Sequence, residues 1–274
     1  MPTATAATPA SPASAPAAAT LPRWRLSNSS DQIHKRQAPD RNRPGVLAIW
    51  RLGMNQTITT VLFDFDGTVF DTVEGITKSI RYALRKHGRD AKLEDLRCFA
   101  GPPLVDKFME VYGVTKEEAE QLVKDFRERY VPIGVYESSP FPGIRGLLEA
   151  LRSAGKKVAI ATSKPQPMAE LLLERAGLRE LFDVVVGSGG GVNNDAKWQI
   201  VTRAMELCGS KPENCVLIGD TKYDVEGAKK CGIPCIGVRW GYAAEGELDA
   251  AGAAAIVETT EEVLHFLNEE AQTP

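Results

Sequence analysis

Val61-Leu62-Phe63-Asp64-Phe65-Asp66-Gly67-Thr68 is a short apolar run that leads into two carboxylates and a glycine. A continuous run of this kind predicts a strand covered on both faces, as in a parallel sheet. Asp and Gly directly after it predict a turn where the strand ends. Because ligands of open parallel sheets bind beyond the carboxyl ends of the strands, this turn is the first candidate for a functional site.

Outward from this stretch, short apolar runs alternate with segments of helical periodicity. The runs predict strands at Thr59–Phe63, Lys157–Ala161, Val184–Gly187, Cys215–Ile218 and Cys235–Val238. The intervening segments predict helices at Gly143–Ala154, Met168–Ala176, Lys197–Leu207 and Tyr223–Cys231. Such alternation predicts an α/β fold with a doubly wound parallel sheet, a Rossmann-like core.

Residues 74–139 break this alternation, because they contain no strand-like run. They contain three segments of helical pattern: Ile76–His87, Leu104–Tyr112 and Lys116–Tyr130. The region follows the first strand and precedes a turn cluster at residues 140–143. We therefore expect residues 74–139 to form an inserted α-helical cap, and residues 54–73 and 140–274 to form the catalytic core.

Residues 1–53 differ in composition from the rest of the chain. The first 20 residues hold nine Ala and four Pro and no charged side chain, too little to offset the entropy of ordering. We expect a disordered N-terminal extension, with the fold beginning near Met54. The basic stretch up to Arg51 also fits an organellar transit peptide, but the early prolines interrupt any amphipathic helix. A cytoplasmic location is therefore favoured over organellar targeting.

The charge of the chain is also uneven. Residues 1–53 carry seven basic and two acidic residues, and the remainder carries 26 basic and 34 acidic residues, a net charge of −8. An acidic body argues against nucleic acid as the main partner. No apolar run approaches the roughly 18 residues that a membrane-spanning helix needs. We expect a monomer or homodimer that binds no membrane.

Reactive side chains follow several of the predicted strands. They are Asp64 and Asp66, then Thr162, Ser163 and Lys164, then Asp220 with Asp224 one turn later, and Lys197 near the start of a helix. Four carboxylates at one edge repel each other unless a cation or protons neutralise them, and oxygen ligands favour Mg²⁺. Residues two apart on a strand point the same way. One of Asp64 and Asp66 could therefore attack phosphorus while the other protonates the leaving oxygen.

These residues resemble the four ordered motifs of the haloacid dehalogenase-like hydrolases. The motifs are Asp64-Phe65-Asp66-Gly67-Thr68-Val69, Thr162, Lys197, and Gly219-Asp220-x-x-x-Asp224. The resemblance covers about residues 55–268 and is closest to the phosphoglycolate-phosphatase-like branch, which carries a helical cap after the first motif.

The resemblance implies a role for each matched residue. Asp64 would be the nucleophile that forms an aspartyl-phosphate, and Asp66 the general acid and then the general base. Thr162 would hydrogen-bond the phosphate, and Lys197 would offset charge. Mg²⁺ would be held by Asp64, Asp66 (through its backbone carbonyl) and Asp220, with Asp224 in support. Gly67, Thr68, Ser163 and Lys164 would bind the substrate, the turn at Gly67 bringing backbone N–H groups to the phosphoryl oxygens.

Several assignments stay open at this point. Lys164 is a second candidate for the catalytic lysine, although the glycine-rich segment 187–196 favours Lys197. The cap loop at residues 99–104 resembles a substrate-facing loop but also fits an ordinary helix start. Arg127 fits an anion contact, yet a solvated side chain is favoured. His34, His87 and His265 lack acidic partners at suggestive spacing and are expected at the surface.

The sequence thus predicts a Mg²⁺-dependent phosphatase for small phosphomonoesters of the phosphoglycolate or nucleoside monophosphate class. Two alternatives remain. A sugar phosphomutase or phosphotransferase would use the same two aspartates, and a catalytically silent binding protein would retain only the fold.

Overall fold

The computed structural model describes residues 58–189 and 195–269, and within these ranges the chain forms eight strands and nine α-helices. The strands are β1 Thr60–Phe63, β2 Phe70–Asp71, β3 Ser139–Pro140, β4 Lys157–Pro165, β5 Val184–Ser188, β6 Cys215–Gly219, β7 Cys235–Val238 and β8 Ala255–Val257. The helices are α1 Val73–Lys86, α2 Leu104–Tyr112, α3 Lys116–Tyr130, α4 Ile144–Ser153, α5 Gln166–Arg175, α6 Lys197–Leu207, α7 Lys222–Lys230, α8 Glu247–Ala251 and α9 Thr260–Glu269.

Six of these strands form one parallel sheet in the order β5-β4-β1-β6-β7-β8. The central strand β1 is fully buried. Because side chains alternate along a strand, Val61 and Phe63 pack into the apolar layer on one face, and Leu62 packs into the layer on the other. The predicted α/β fold with a doubly wound parallel sheet is confirmed.

The register of β1 decides which residues meet at the edge of the sheet. Phe63 is level with Ile160 of β4 and with Ile218 of β6. The residues that follow these three positions therefore emerge at one edge, and they include Asp64 and Asp220.

A helical insertion lies between β1 and β4, as the sequence predicts. It contains α1, α2 and α3, and its two connections to the core pair with each other as the short antiparallel strands β2 and β3. The observed α2 and α3 have the predicted bounds, whereas α1 begins at Val73, three residues before the predicted start. The N–H of Val73 is bound by the Asp71 carboxylate at 3.2 Å, which supports this earlier start.

Other predicted bounds were wrong or incomplete. Strand β4 continues four residues beyond Ala161, so the polar segment 162–164 belongs to the strand itself. The sheet also has a sixth strand, β8, which is only three residues long and partly exposed and therefore gives a weak apolar signal. The proposed extension at 1–53, the boundary at Met54 and part of the glycine-rich segment lie outside the described residues. Among the helices that are described, none is long and apolar enough to cross a membrane.

Candidate active site

The turn after β1 presents its two aspartates at the edge of the sheet. The backbone N–H of Asp64 donates to the carbonyl of Ile218 at 2.9 Å, which continues the pairing with β6 beyond the strand. The chain then reverses at Gly67, whose φ is 85°. The N–H of Gly67 donates to the carbonyl of Phe70 at 2.8 Å. This hydrogen bond closes the turn that the sequence predicts at Gly67.

Gly67 also makes room for the carboxylate of Asp220. A Cβ atom built on Gly67 would lie 2.1 Å from Oδ2 of Asp220 and 2.8 Å from the ring of Tyr242. Any side chain at position 67 would therefore displace this aspartate. Thr68 is fully buried and donates its hydroxyl to Oδ1 of Asp220 at 3.3 Å. Thr68 therefore supports Asp220 from within the core, and its contact with a substrate stays a prediction.

Asp64, Asp220 and Asp224 form a buried acidic cluster in which one oxygen of each lies within 4.8 Å of the others. Burial raises the pKa of Asp64 to about 6, although Lys197 lowers it, and Asp224 and Asp66 raise it further. Burial, followed by the charges of Asp224 and Asp64, raises the pKa of Asp220 well above its usual range. Three buried carboxylates with one lysine between them are a donor set that fits a hard divalent cation.

Lys197, the first residue of α6, neutralises part of this cluster. Its ammonium donates to Asp64 Oδ1 at 2.6 Å and lies 2.7 Å from Asp224 Oδ1. Burial lowers the pKa of Lys197, but Asp224 and Asp64 raise it by more, so the side chain stays charged. Asp224 in turn is fixed through Oδ2, which accepts from the backbone N–H and the hydroxyl of Thr221. With both oxygens engaged, Asp224 supports the cluster by orienting Lys197.

Tyr242 is a site residue that the sequence analysis missed. Its backbone N–H donates to Asp220 Oδ2 at 2.8 Å. Its hydroxyl accepts a hydrogen bond from the backbone N–H of Thr72 at 2.6 Å and donates one to Asp71 Oδ1 at 3.0 Å. Tyr242 therefore connects the acidic cluster with the start of the helical insertion. The signal that could have found it is its position four residues past β7, at the same edge of the sheet.

The ammonium group of Lys164 contacts Asp66 and not Asp64, the candidate nucleophile. Its ammonium donates to Asp66 Oδ1 at 2.9 Å and to the hydroxyl of Tyr130 at 2.7 Å. It also lies 5.5 Å from the centre of the Phe65 ring and 5.2 Å from that of Tyr130. Burial lowers the pKa of Lys164, but Asp66 and Tyr130 raise it by more. Of the two candidate lysines, only Lys197 contacts Asp64.

A cavity of about 620 Å³ lies between the sheet edge and the helical insertion, and Asp64, Asp66 and Lys197 are among the residues that line it. Thr162 and Ser163 line it on the core side, and Thr162 accepts a hydrogen bond from the backbone N–H of Lys164 at 3.2 Å. Residues 101–104 of the cap loop and Arg127 line it on the other side. Arg127, which the sequence analysis favoured as a solvated side chain, is half-buried in this wall.

The family follows from a comparison with known proteins. The model of the haloacid dehalogenase-like hydrolases matches residues 61–238, which include the ends of β1, β4 and β6. The chain is a haloacid dehalogenase-like hydrolase. Phosphoglycolate phosphatases are among its relatives, in agreement with the resemblance of its motifs.

Three known proteins resemble this hydrolase in sequence or in structure. It is 38% identical over 191 residues to a 5'-nucleotidase of Pseudomonas aeruginosa. The aligned region covers 69% of this chain and 86% of the nucleotidase. It is 36% identical over 183 residues to the tyrosine-protein kinase PtkA of Mycobacterium tuberculosis, covering 66% and 62%. The solved structure of a predicted phosphatase from Clostridium acetobutylicum superposes with a TM-score of 0.74 at 37% identity, covering 78% and 100%.

Proposed function

We propose that this hydrolase is a Mg²⁺-dependent phosphatase that hydrolyses small phosphomonoesters through a phosphorylated Asp64. The observation that carries the proposal is the arrangement around Asp64. One of its oxygens is bound by Lys197 at 2.6 Å, and Asp66, two residues later, lines the same cavity. This arrangement offers a nucleophile, a charge-neutralising lysine and a separate acid and base.

In the first half of the reaction, Oδ2 of Asp64 attacks phosphorus. The bond from phosphorus to the ester oxygen breaks, and its electron pair stays on the leaving oxygen, which takes a proton from Asp66. Lys197 holds Oδ1 of Asp64 and so keeps Oδ2 directed towards the substrate. Thr162, which lines the cavity, would hydrogen-bond the phosphate.

In the second half, Asp66 acts as the base. It removes a proton from water as the water oxygen attacks phosphorus of the aspartyl-phosphate, and the bond to Asp64 breaks. Inorganic phosphate leaves and the Asp64 carboxylate is restored. Asp66 ends the cycle protonated, as it began, and is ready for the next ester.

The acidic cluster supplies the metal site in this proposal. Asp64, Asp220 and the backbone carbonyl of Asp66 would hold Mg²⁺, and Asp224 would support them through Lys197. The ion supplies positive charge that offsets the repulsion between the carboxylate and the phosphoryl oxygens.

The substrate class is inferred from the relatives and from the cavity. Two relatives are named 5'-nucleotidase and phosphoglycolate phosphatase, and both names indicate small phosphate esters as substrates. A cavity of about 620 Å³ is within the usual range for a small-molecule site. It accommodates a nucleoside monophosphate as well as a smaller ester such as phosphoglycolate.

A panel of phosphorylated metabolites tests the proposal. With excess Mg²⁺, the protein is expected to release inorganic phosphate from at least one ester, and chelation should abolish the release. Asp64→Asn should lower turnover by about a thousandfold or more, since it removes the nucleophile. Asp95→Asn, a change of the same kind at an exposed position, is the matched control. Interconversion of hexose phosphates without phosphate release would show a mutase instead.

A further inference from the structure

A tyrosine of the cap is linked by hydrogen bonds to the proposed acid and base of the site. Tyr130, the last residue of α3, is 5% exposed, and its hydroxyl accepts a hydrogen bond from Lys164. Lys164, near the end of β4, is 6% exposed and also donates to Asp66. A continuous contact therefore runs from the cap helix to the proposed acid, through a lysine that does not touch Asp64.

The ammonium of Lys164 needs both of these partners. A buried charge is costly unless it is paired and hydrogen-bonded. The core supplies the Asp66 carboxylate and the Phe65 ring, and the cap supplies the hydroxyl and ring of Tyr130. Lys164 is therefore fully satisfied only when α3 lies against the core.

The contact also selects one oxygen of Asp66. An ammonium group only donates hydrogen bonds, so Oδ1 of Asp66 must act as the acceptor towards Lys164. Oδ2 is therefore the oxygen that remains to exchange a proton with the substrate. Lys164 thus restrains rotation of the carboxyl group by holding Oδ1.

We propose that Lys164 is a positioning residue for Asp66, and that Tyr130 of the cap sets Lys164 in place, so that protonation of the leaving group depends on the seated cap. This proposal rests on the proposed phosphatase function. It gives Lys164 a role other than binding substrate phosphate, and it gives the hydroxyl of Tyr130 a role in the chemistry of the core.

Two esters with different leaving groups test the proposal. An alkyl phosphate has a poor leaving group that needs a proton from Asp66, whereas 4-nitrophenyl phosphate has a good leaving group that does not. The ratio kcat/KM reports steps up to departure of the leaving group, and so isolates this protonation. Tyr130→Phe keeps the ring and removes only the hydroxyl, and Lys164→Met removes the charge with little change of volume.

The expected losses are selective. For the alkyl ester, kcat/KM should fall about tenfold in Tyr130→Phe and about a hundredfold in Lys164→Met, since general acid catalysis contributes typically about 10²- to 10⁴-fold. For 4-nitrophenyl phosphate, both variants should stay within about threefold of the parent protein, and inhibition by inorganic phosphate should be unchanged. Tyr112→Phe, a cap tyrosine outside the cavity, is the matched control and should leave both esters unaffected.

Other results would overturn the proposal. Equal losses on both esters would show a merely structural role, and weaker inhibition by phosphate in Lys164→Met would show that Lys164 binds the phosphate. An unchanged alkyl ester rate in Tyr130→Phe would remove the cap from the mechanism. A parent protein that releases phosphate from neither ester would contradict the phosphatase function itself, and is thereby distinguished from these outcomes.

Discussion

At the scale of single residues, the site depends on one close approach between a glycine and a carboxylate. Gly67 lies so near Asp220 that a Cβ atom would lie 2.1 Å from Oδ2. Asp220 cannot move aside freely, because the hydroxyl of Thr68 and the backbone N–H of Tyr242 hold its two oxygens. The absence of a side chain at position 67 is therefore a requirement of the acidic cluster.

Gly67→Ala is expected to lower phosphatase activity by about a hundredfold or more, since small misplacements of catalytic groups have effects of this size. Gly88→Ala is a sharp control, because Gly88 also has a positive φ, of 69°, but has open space where the Cβ would lie. Both variants should lose about 1 kcal/mol of stability from the left-handed backbone. Gly67→Ala should lose more, because its Cβ would also displace Asp220. Steady-state rates and urea unfolding measure the two effects. Equal activity in the two variants would contradict the role assigned to Gly67.

The positions of the aspartates could be predicted from sequence, because each directly follows an apolar run or lies one turn beyond it. Register then brings Asp64 and Asp220 to one edge of the sheet. Tyr130 and Tyr242 could not be predicted in this way. Tyr130 is 34 residues from Lys164, and Tyr242 is 22 residues from Asp220. Contacts across such separations depend on how the cap and the last strands pack, which periodicity alone does not reveal.

At the scale of elements, a buried carboxylate joins two helices of the cap. Asp125 of α3 is 3% exposed and accepts hydrogen bonds from Lys86, the last residue of α1, and from His87, whose Nε2 lies 2.7 Å away. His87 is exposed, as expected, and its acidic partner is not one that lies at a suggestive spacing in the sequence. The partner is 38 residues away in sequence, so no local spacing indicated it.

Asp125→Asn is expected to destabilise the protein in a pH-dependent way. Burial raises the pKa of Asp125, but the hydrogen bonds from Lys86, His87 and Gln121 outweigh it and hold the pKa below its usual value. A carboxyl with a lowered pKa stabilises the fold above its unfolded pKa of about 3.9, and this contribution is lost as the pH falls through the folded pKa.

The free energy of unfolding should therefore be lower in Asp125→Asn than in the parent by about 2 kcal/mol at neutral pH, the scale of hydrogen bonds to a charged group. The difference should shrink below about pH 4, as Asp125 itself becomes protonated. Urea unfolding across this range measures it. Glu128→Gln, which changes the exposed partner of Lys86, is the control and should have a small effect at any pH. A difference that does not shrink in acid would contradict the ion-pair explanation.

At the scale of the whole molecule, a cavity lies between the cap and the core, and Asp64 and Asp224 of the acidic cluster line it. The carboxylates of this cluster repel one another and destabilise the folded state, since three buried carboxylates have one lysine among them. A ligand that binds only the folded state stabilises it. The stability of the chain should therefore report on occupancy of the cluster without any measurement of catalysis.

Mg²⁺ is expected to raise the melting temperature of the parent protein. At a concentration about 100 times its Kd, a single ion adds about 2.7 kcal/mol, which corresponds to about 5–10 °C for a chain of this size. Asp220→Asn should lose most of this increase, because it removes a proposed ligand. Without Mg²⁺ the same variant should melt above the parent, since it removes a carboxyl whose pKa is raised by burial and by repulsion from Asp224 and Asp64. Asp95→Asn should behave as the parent in both conditions. Equal Mg²⁺ shifts in the parent and in Asp220→Asn, measured by scanning calorimetry, would place the ion elsewhere.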